Sequence, residues 1–102
     1  MQPRLPTDED TNFLFDSAVS LLRGEFGYSQ EDANRLAGQY YTLFSDPDYC
    51  HSIGIPVQND DFYHHEASGG LALLIHYYLG LRADPDPHKF IEWRAEYYRQ
   101  RR

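Results

Sequence analysis

The stretch 60-DDFYHHEASGGLALLIHYYLGL-81 decides the fold. At about 100° per residue, Leu71, Ala72, Leu73, Leu74, Ile75 and Leu79 spread almost all round a helix instead of along one stripe. Such a helix is buried on every side, so the remaining elements must cover it. Asp60 or Asp61 is expected to cap it, and Leu81 to end it. Gly69-Gly70 costs roughly 1 kcal/mol of helix propensity per glycine, which points to close approach there of a neighbouring helix or of a partner.

The elements that do the covering read outward from this one. Thr7, followed by Asp8, Glu9 and Asp10, is expected to cap a first helix carrying Phe13, Leu14, Ala18, Leu21 and Leu22 at helical spacing and ending at Gly24 or Gly27. Ser29 opens a second helix, with Ala33, Leu36, Ala37, Tyr40, Leu43 and Phe44 on its apolar face, stopped by Ser45-Asp46-Pro47. Residues 45–60, with two prolines, a glycine and little periodicity, read as a long loop holding at most one helical turn. Asp86 caps a fourth helix, with Pro87 at its first position, from His88 to about Arg99. The expected fold is all-α: a four-helix, bundle-like single domain over residues 1–102, with one long loop between helices two and three and loose ends at 1–6 and 100–102.

Composition narrows the function. A single cysteine, Cys50, leaves no internal disulfide and fits a reducing compartment, so a cytoplasmic location is expected. The longest uncharged run, Ala67 to Leu81, is too short to span a bilayer. A net charge of -7 argues against general nucleic-acid binding and for a basic partner protein. The charge is uneven: residues 1–66 hold twelve acids and three bases, residues 67–102 four acids and six bases. Any negative recognition surface therefore comes from the first two thirds of the chain. The nine tyrosines, three pairs of them adjacent, can pack on helix flanks or present broad faces to a partner.

No catalytic constellation is visible. Asp60 with His64 and Asp61 with His65 stand at i, i+4 spacing, close enough to share an ion. A metal centre would have to be completed from the preceding loop, giving His51, Asp61, His64 and His65 as the alternative ligand set, and no HExxH or comparable signature supports it. His76, alone among apolar neighbours, reads as a hydrogen-bonded core residue. Glycine-rich phosphate loops and a GxSxG turn are missing from the sequence, and no cofactor is expected.

Three features in order, Ser29-Gln30-Glu31-Asp32, the loop with Asp46-Pro47-Asp48-Tyr49 and Ile55-Pro56, and the Asp60-Asp61 turn followed by Ser68-Gly69, resemble the immunity proteins that neutralise colicin-type nuclease bacteriocins. The likeness covers roughly residues 8–82; the family's tyrosine doublet before a proline is here a single Tyr49, and Trp93-Arg94 has no counterpart. The resemblance implies a small acidic inhibitor that occludes a basic nuclease. Its expected contacts are Glu31, Asp32, Asp46, Asp48, Tyr49, Asp60, Asp61 and Tyr63. A third reading is a homo-oligomeric subunit in which Tyr97, Tyr98 and the basic tail dock on the acidic half of a neighbour.

Overall fold

A computed structural model describes residues 4–101. It contains five α-helices and no strand among the described residues: α1 Glu9–Phe26, α2 Gln30–Phe44, α3 Pro47–Ile53, α4 Asp60–Ile75 and α5 Pro87–Gln100, with α4 running on into a single π-helical turn, His76–Gly80. The expected all-α fold is what is observed.

Side-chain ties give the topology. Thr7 Oγ1 donates to Asp60 Oδ2 at 2.5 Å, Thr11 Oγ1 lies 3.0 Å from His64 Nε2, Phe15 packs edge-on to Tyr63 and Phe26 stacks on His76. Partner numbers rise together, so α1 and α4 run parallel. α2 returns antiparallel to α1: Arg23 reaches Gln30 Oε1 at its start, and the Tyr41 hydroxyl donates to Pro6 O near its end. Gly27 makes the tight reversal at φ +77°, its N–H closing on Arg23 O. The start of α1, the end of α2, all of α3 and the start of α4 consequently share one end of the molecule.

The covered helix is α4. Leu71 to Ile75 are all at most 4% exposed, facing Phe15, Ala18 and Leu22 of α1 and Leu36, Ala37 and Tyr40 of α2 in one continuous core. The radius of gyration, 12.9 Å, matches the ~13 Å of a compact chain this long. α5 lies across the last turns of α4 and docks through rings, Phe90 and Trp93 against Tyr77 and Tyr97 against Phe26.

Several local expectations are corrected. The first cap is Asp8, whose carboxylate accepts from Thr11 N at 2.7 Å, which leaves Thr7 to bind Asp60. The α4 cap is Asn59, not Asp60 or Asp61, accepting from Phe62 N at 2.9 Å. The 45–60 segment contains a seven-residue helix, α3, capped by Asp46, begun by Pro47 and closed by Gly54 at φ +74°. Of the ends expected to be loose, 1–6 and 100–102, residues 1–3 and 102 lie outside the described residues; Leu5 N–H donates to Asn12 Oδ1, and Gln100 is the last residue of α5. The close helix contact expected at Gly69-Gly70 is not found among the described residues. Gly69 has open space around it, and the room at Gly70 is filled by the Glu66 side chain of the same helix.

α4 is not continuous. Ala67 sits at φ 61°, ψ -179°, a conformation in which a side chain costs about 1–3 kcal/mol. The segment before the break is pinned to α1 by Asp60, Tyr63 and His64, and the segment after it by the Leu71–Ile75 core, so the mismatch between the two falls on one residue. Ala67→Gly removes the clash and adds back roughly 0.5–1 kcal/mol of unfolded-chain entropy. The expected outcome is a net gain of about 1 kcal/mol, read as a higher denaturant midpoint at unchanged slope.

Candidate functional site

The shared end of the molecule gathers acids from three segments. Asp8, Glu9 and Asp10 begin α1, Asp46 and Asp48 begin α3, and Asp60 and Asp61 begin α4. Each group stands in the first turn or at the cap, where backbone N–H groups favour negative charge. The hydrogen bonds from Thr11 lower the Asp8 pKa below the usual carboxylate range. Of these acids, Asp60 and Asp61 border a shallow depression of about 410 Å³ whose lining also includes Tyr41, Ser45, Val57, Gln58 and Asn59. Its floor is held by Gln58: its N–H donates to Phe44 O at 2.8 Å and its side-chain oxygen accepts from the buried Tyr40 hydroxyl at 2.6 Å.

The expected contact residues divide. Asp46, Asp48 and Asp61 are exposed at this end, Asp60 is half-buried against Thr7, and Tyr49 is half-buried with its ring edge-on to Phe44. Glu31 and Asp32 are exposed but stand at the opposite end: α2 has 15 residues, which at ~1.5 Å each separates them from Ser45 by about 20 Å. Asp32 there pairs with Arg35 at 3.3 Å. Tyr63 is not a surface anchor. It is 0% exposed, ringed by Phe15, Tyr40 and Tyr41, with its hydroxyl 2.7 Å from Ser45 Oγ, and burial pushes its pKa up to about 12. Tyr41, absent from the expected set, takes a place on the depression instead.

The alternative metal ligands are not brought together. His51 lies exposed on α3, His64 is taken by Thr11, and His65 and Asp61 are exposed on α4; no group of three or more His, Cys, Asp or Glu side chains forms a cluster among the described residues. Cys50 is buried, its Sγ donating to Phe44 O at 3.3 Å, and burial raises its pKa. Comparison with protein-family models, curated proteins and solved structures gives no match. No helix is long and apolar enough to cross a membrane among the described residues.

Two further features complete the surface. His76 opens the π turn, its ring stacked 3.9 Å from Phe26 and its Nδ1 2.7 Å from the Tyr28 hydroxyl. His76 is hydrogen-bonded as expected, but it is half-buried at the edge and not a core residue. Gly80 gives the Tyr28 hydroxyl room to reach it, since a Cβ there would occupy the same space. Burial lowers the His76 pKa, so the unfolded chain takes up a proton first as pH falls. Stability is accordingly held above pH ~6.5 and declines below it. Denaturant titrations from pH 8 to 5 should show this decline, and His76→Phe should flatten it.

The second feature is a cleft of about 230 Å³ between the 55–58 strap, α4 and α5. Ile55-Pro56-Val57 and Ile91 are the only hints of it in the sequence, and they become a wall only when α5 crosses α4.

The basic tail lies on its own α1: Tyr97 donates to Glu25 Oε2 at 3.3 Å, and Arg101 pairs with the same carboxylate at 2.8 Å.

Proposed function

We propose that this chain is an acidic helical protein-binding module that occludes a basic partner, in the manner of nuclease-immunity inhibitors. The binding face is the end where α1, α3 and α4 begin. The observation that carries the reading is the convergence there of Asp8, Glu9, Asp10, Asp46, Asp48, Asp60 and Asp61 from three separate segments, with Asp60, Asp61 and Tyr41 lining a depression at that end. Arg23 and Arg35 stand at the other end, while Arg4 leads into this one.

Asp8 and Asp46 are held by backbone hydrogen bonds and Asp60 by the Thr7 hydroxyl, so these carboxylates lose little freedom on meeting Lys or Arg. Their summed field accelerates encounter with a positive surface. The half-buried rings of Tyr41 and Tyr49 then offer apolar area with few rotamers to freeze. The partial resemblance to bacteriocin immunity proteins makes a nuclease the concrete partner class.

The test is capture from the source cell with three baits: the wild-type chain, Asp46→Asn/Asp60→Asn/Asp61→Asn, and Glu31→Gln/Asp32→Asn. A basic protein held by the first and third baits and lost by the second supports the reading. A partner held equally by all three contradicts it.

A further inference from the structure

We infer that the cleft between the 55–58 strap and α5 is a binding site for a small monocarboxylate with an apolar body. It shares Val57 and Gln58 with the depression at the acidic end and is otherwise lined by different residues. Its walls are apolar: Ile55 and Val57 from the strap, Phe62 and Leu74 from α4, Phe90 and Ile91 from α5. Val57 and Ile91 are 46% and 52% exposed at its rim, so apolar surface stays in water while the cleft is empty. At about 230 Å³ it is smaller than the ~300–1,000 Å³ of sites for drug-sized ligands. One short chain or one ring fills it.

The head group follows from the two charges in the lining, Glu66 and Arg94. Their closest approach is 3.6 Å, beyond hydrogen-bond range. The Arg94 guanidinium lies over the Phe90 ring at 5.2 Å from its centroid and makes no hydrogen bond among the described residues. A guanidinium offers five donors in a fork that matches a carboxylate. Glu66, by contrast, is the less accessible of the pair, its side chain 20% exposed against 32% for Arg94 and folded back over Gly70, where a Cβ would come within 2.7 Å of its Oε2. Neither side chain makes a hydrogen bond among the described residues, and the more accessible of the two is the cation, over the Phe90 ring, which favours an anionic head. Glu66 holds Arg94 at the mouth and competes with the ligand for it.

That competition predicts effects of opposite sign. Isothermal titration and amide NMR on the intact chain use octanoate, with octylammonium and octanol as matched compounds. Octanoate is expected to bind one to one, with shifts centred on Ile55, Val57, Ile91 and Arg94, and about tenfold or more tighter than either analogue. Arg94→Gln should weaken octanoate by about tenfold, whereas Glu66→Gln should tighten it several-fold by freeing the guanidinium. Octylammonium or octanol binding as well as octanoate would overturn the assignment with no variant needed. So would shifts scattered over the surface, or an unchanged affinity in a folded Arg94→Gln protein.

Discussion

Tyr63→Ala is expected to bring this domain close to unfolding. Tyr63 is fully buried between α1, α2 and α4, and removing a buried aromatic ring from such a position costs about 3–5 kcal/mol. The three edge-on or tilted ring contacts to Phe15, Tyr40 and Tyr41 add about 0.5–1.5 kcal/mol each when desolvated. Against a total stability of roughly 5–15 kcal/mol for a single domain, most or all of the folded population is at stake. Tyr63→Phe keeps the ring and loses only the hydroxyl contact to Ser45, for a cost near 1 kcal/mol. The pair separates a core role from a partner-binding role: a surface anchor would tolerate both changes in the free protein. Tyr63→Phe also carries a pH signature. The folded-state pKa, about 12, lies above that of the unfolded chain, so the phenol contributes stability below pH ~10 that is lost as pH rises toward 12. Equilibrium unfolding at pH 8 and pH 11 should show a smaller alkaline loss in the phenylalanine variant.

The second large effect belongs to Asn12. Its side chain is 2% exposed on the first turn of α1 and is surrounded by main chain. Oδ1 accepts from Leu5 N at 2.8 Å, and Nδ2 donates toward Leu5 O, Thr7 O and Asp8 O at 3.0 to 3.3 Å. Asn12→Ala strands these groups in a site that water cannot fully reach, at about 1–3 kcal/mol for each group left unpaired. A loss of about 3 kcal/mol is expected. The segment Leu5–Thr7 also carries the bonds from Thr7 to Asp60 and from Tyr41 to Pro6, so it links α1, α2 and α4 at the acidic end. Hydrogen exchange should speed up first at Leu5, whose N–H loses its acceptor, and at Asp60 and Asp61. Uniform acceleration over the whole chain would show that the network is not local.

Much of the helix plan was legible because its signals are local. Gly27 supplies the left-handed reversal, Ser29 caps α2, and Asp86-Pro87 opens α5, each through a mechanism that depends on one or two residues. The all-round apolar run of α4 correctly marked the central element. Caps were misplaced by one or two residues in runs such as Thr7-Asp8 and Asn59-Asp60-Asp61, where every member has a capping side chain and only backbone angles choose between them. α3 escaped because seven residues with Cys50 as the buried one produce no periodicity.

Relations across the chain were out of reach. The parallel pairing of α1 with α4 rests on contacts 53 residues apart, and it is this pairing that sends Asp60 and Asp61 to the end shared with Asp8 and Asp46. The antiparallel return of α2 sends Glu31 and Asp32 the other way. A tyrosine's ring and hydroxyl suit both core and interface, so nothing local distinguished Tyr63, which is buried, from Tyr41, which lines the depression.

The measurement closest to the central claim is the association rate of the captured partner as a function of ionic strength. The wild-type chain, Asp46→Asn/Asp60→Asn/Asp61→Asn and Glu31→Gln/Asp32→Asn would be compared. The account predicts that neutralising the acidic end slows association at low salt by about tenfold or more and flattens its salt dependence, while the Glu31/Asp32 variant follows the wild type. Equal slowing by both variants, or slowing by the Glu31/Asp32 variant alone, would contradict it.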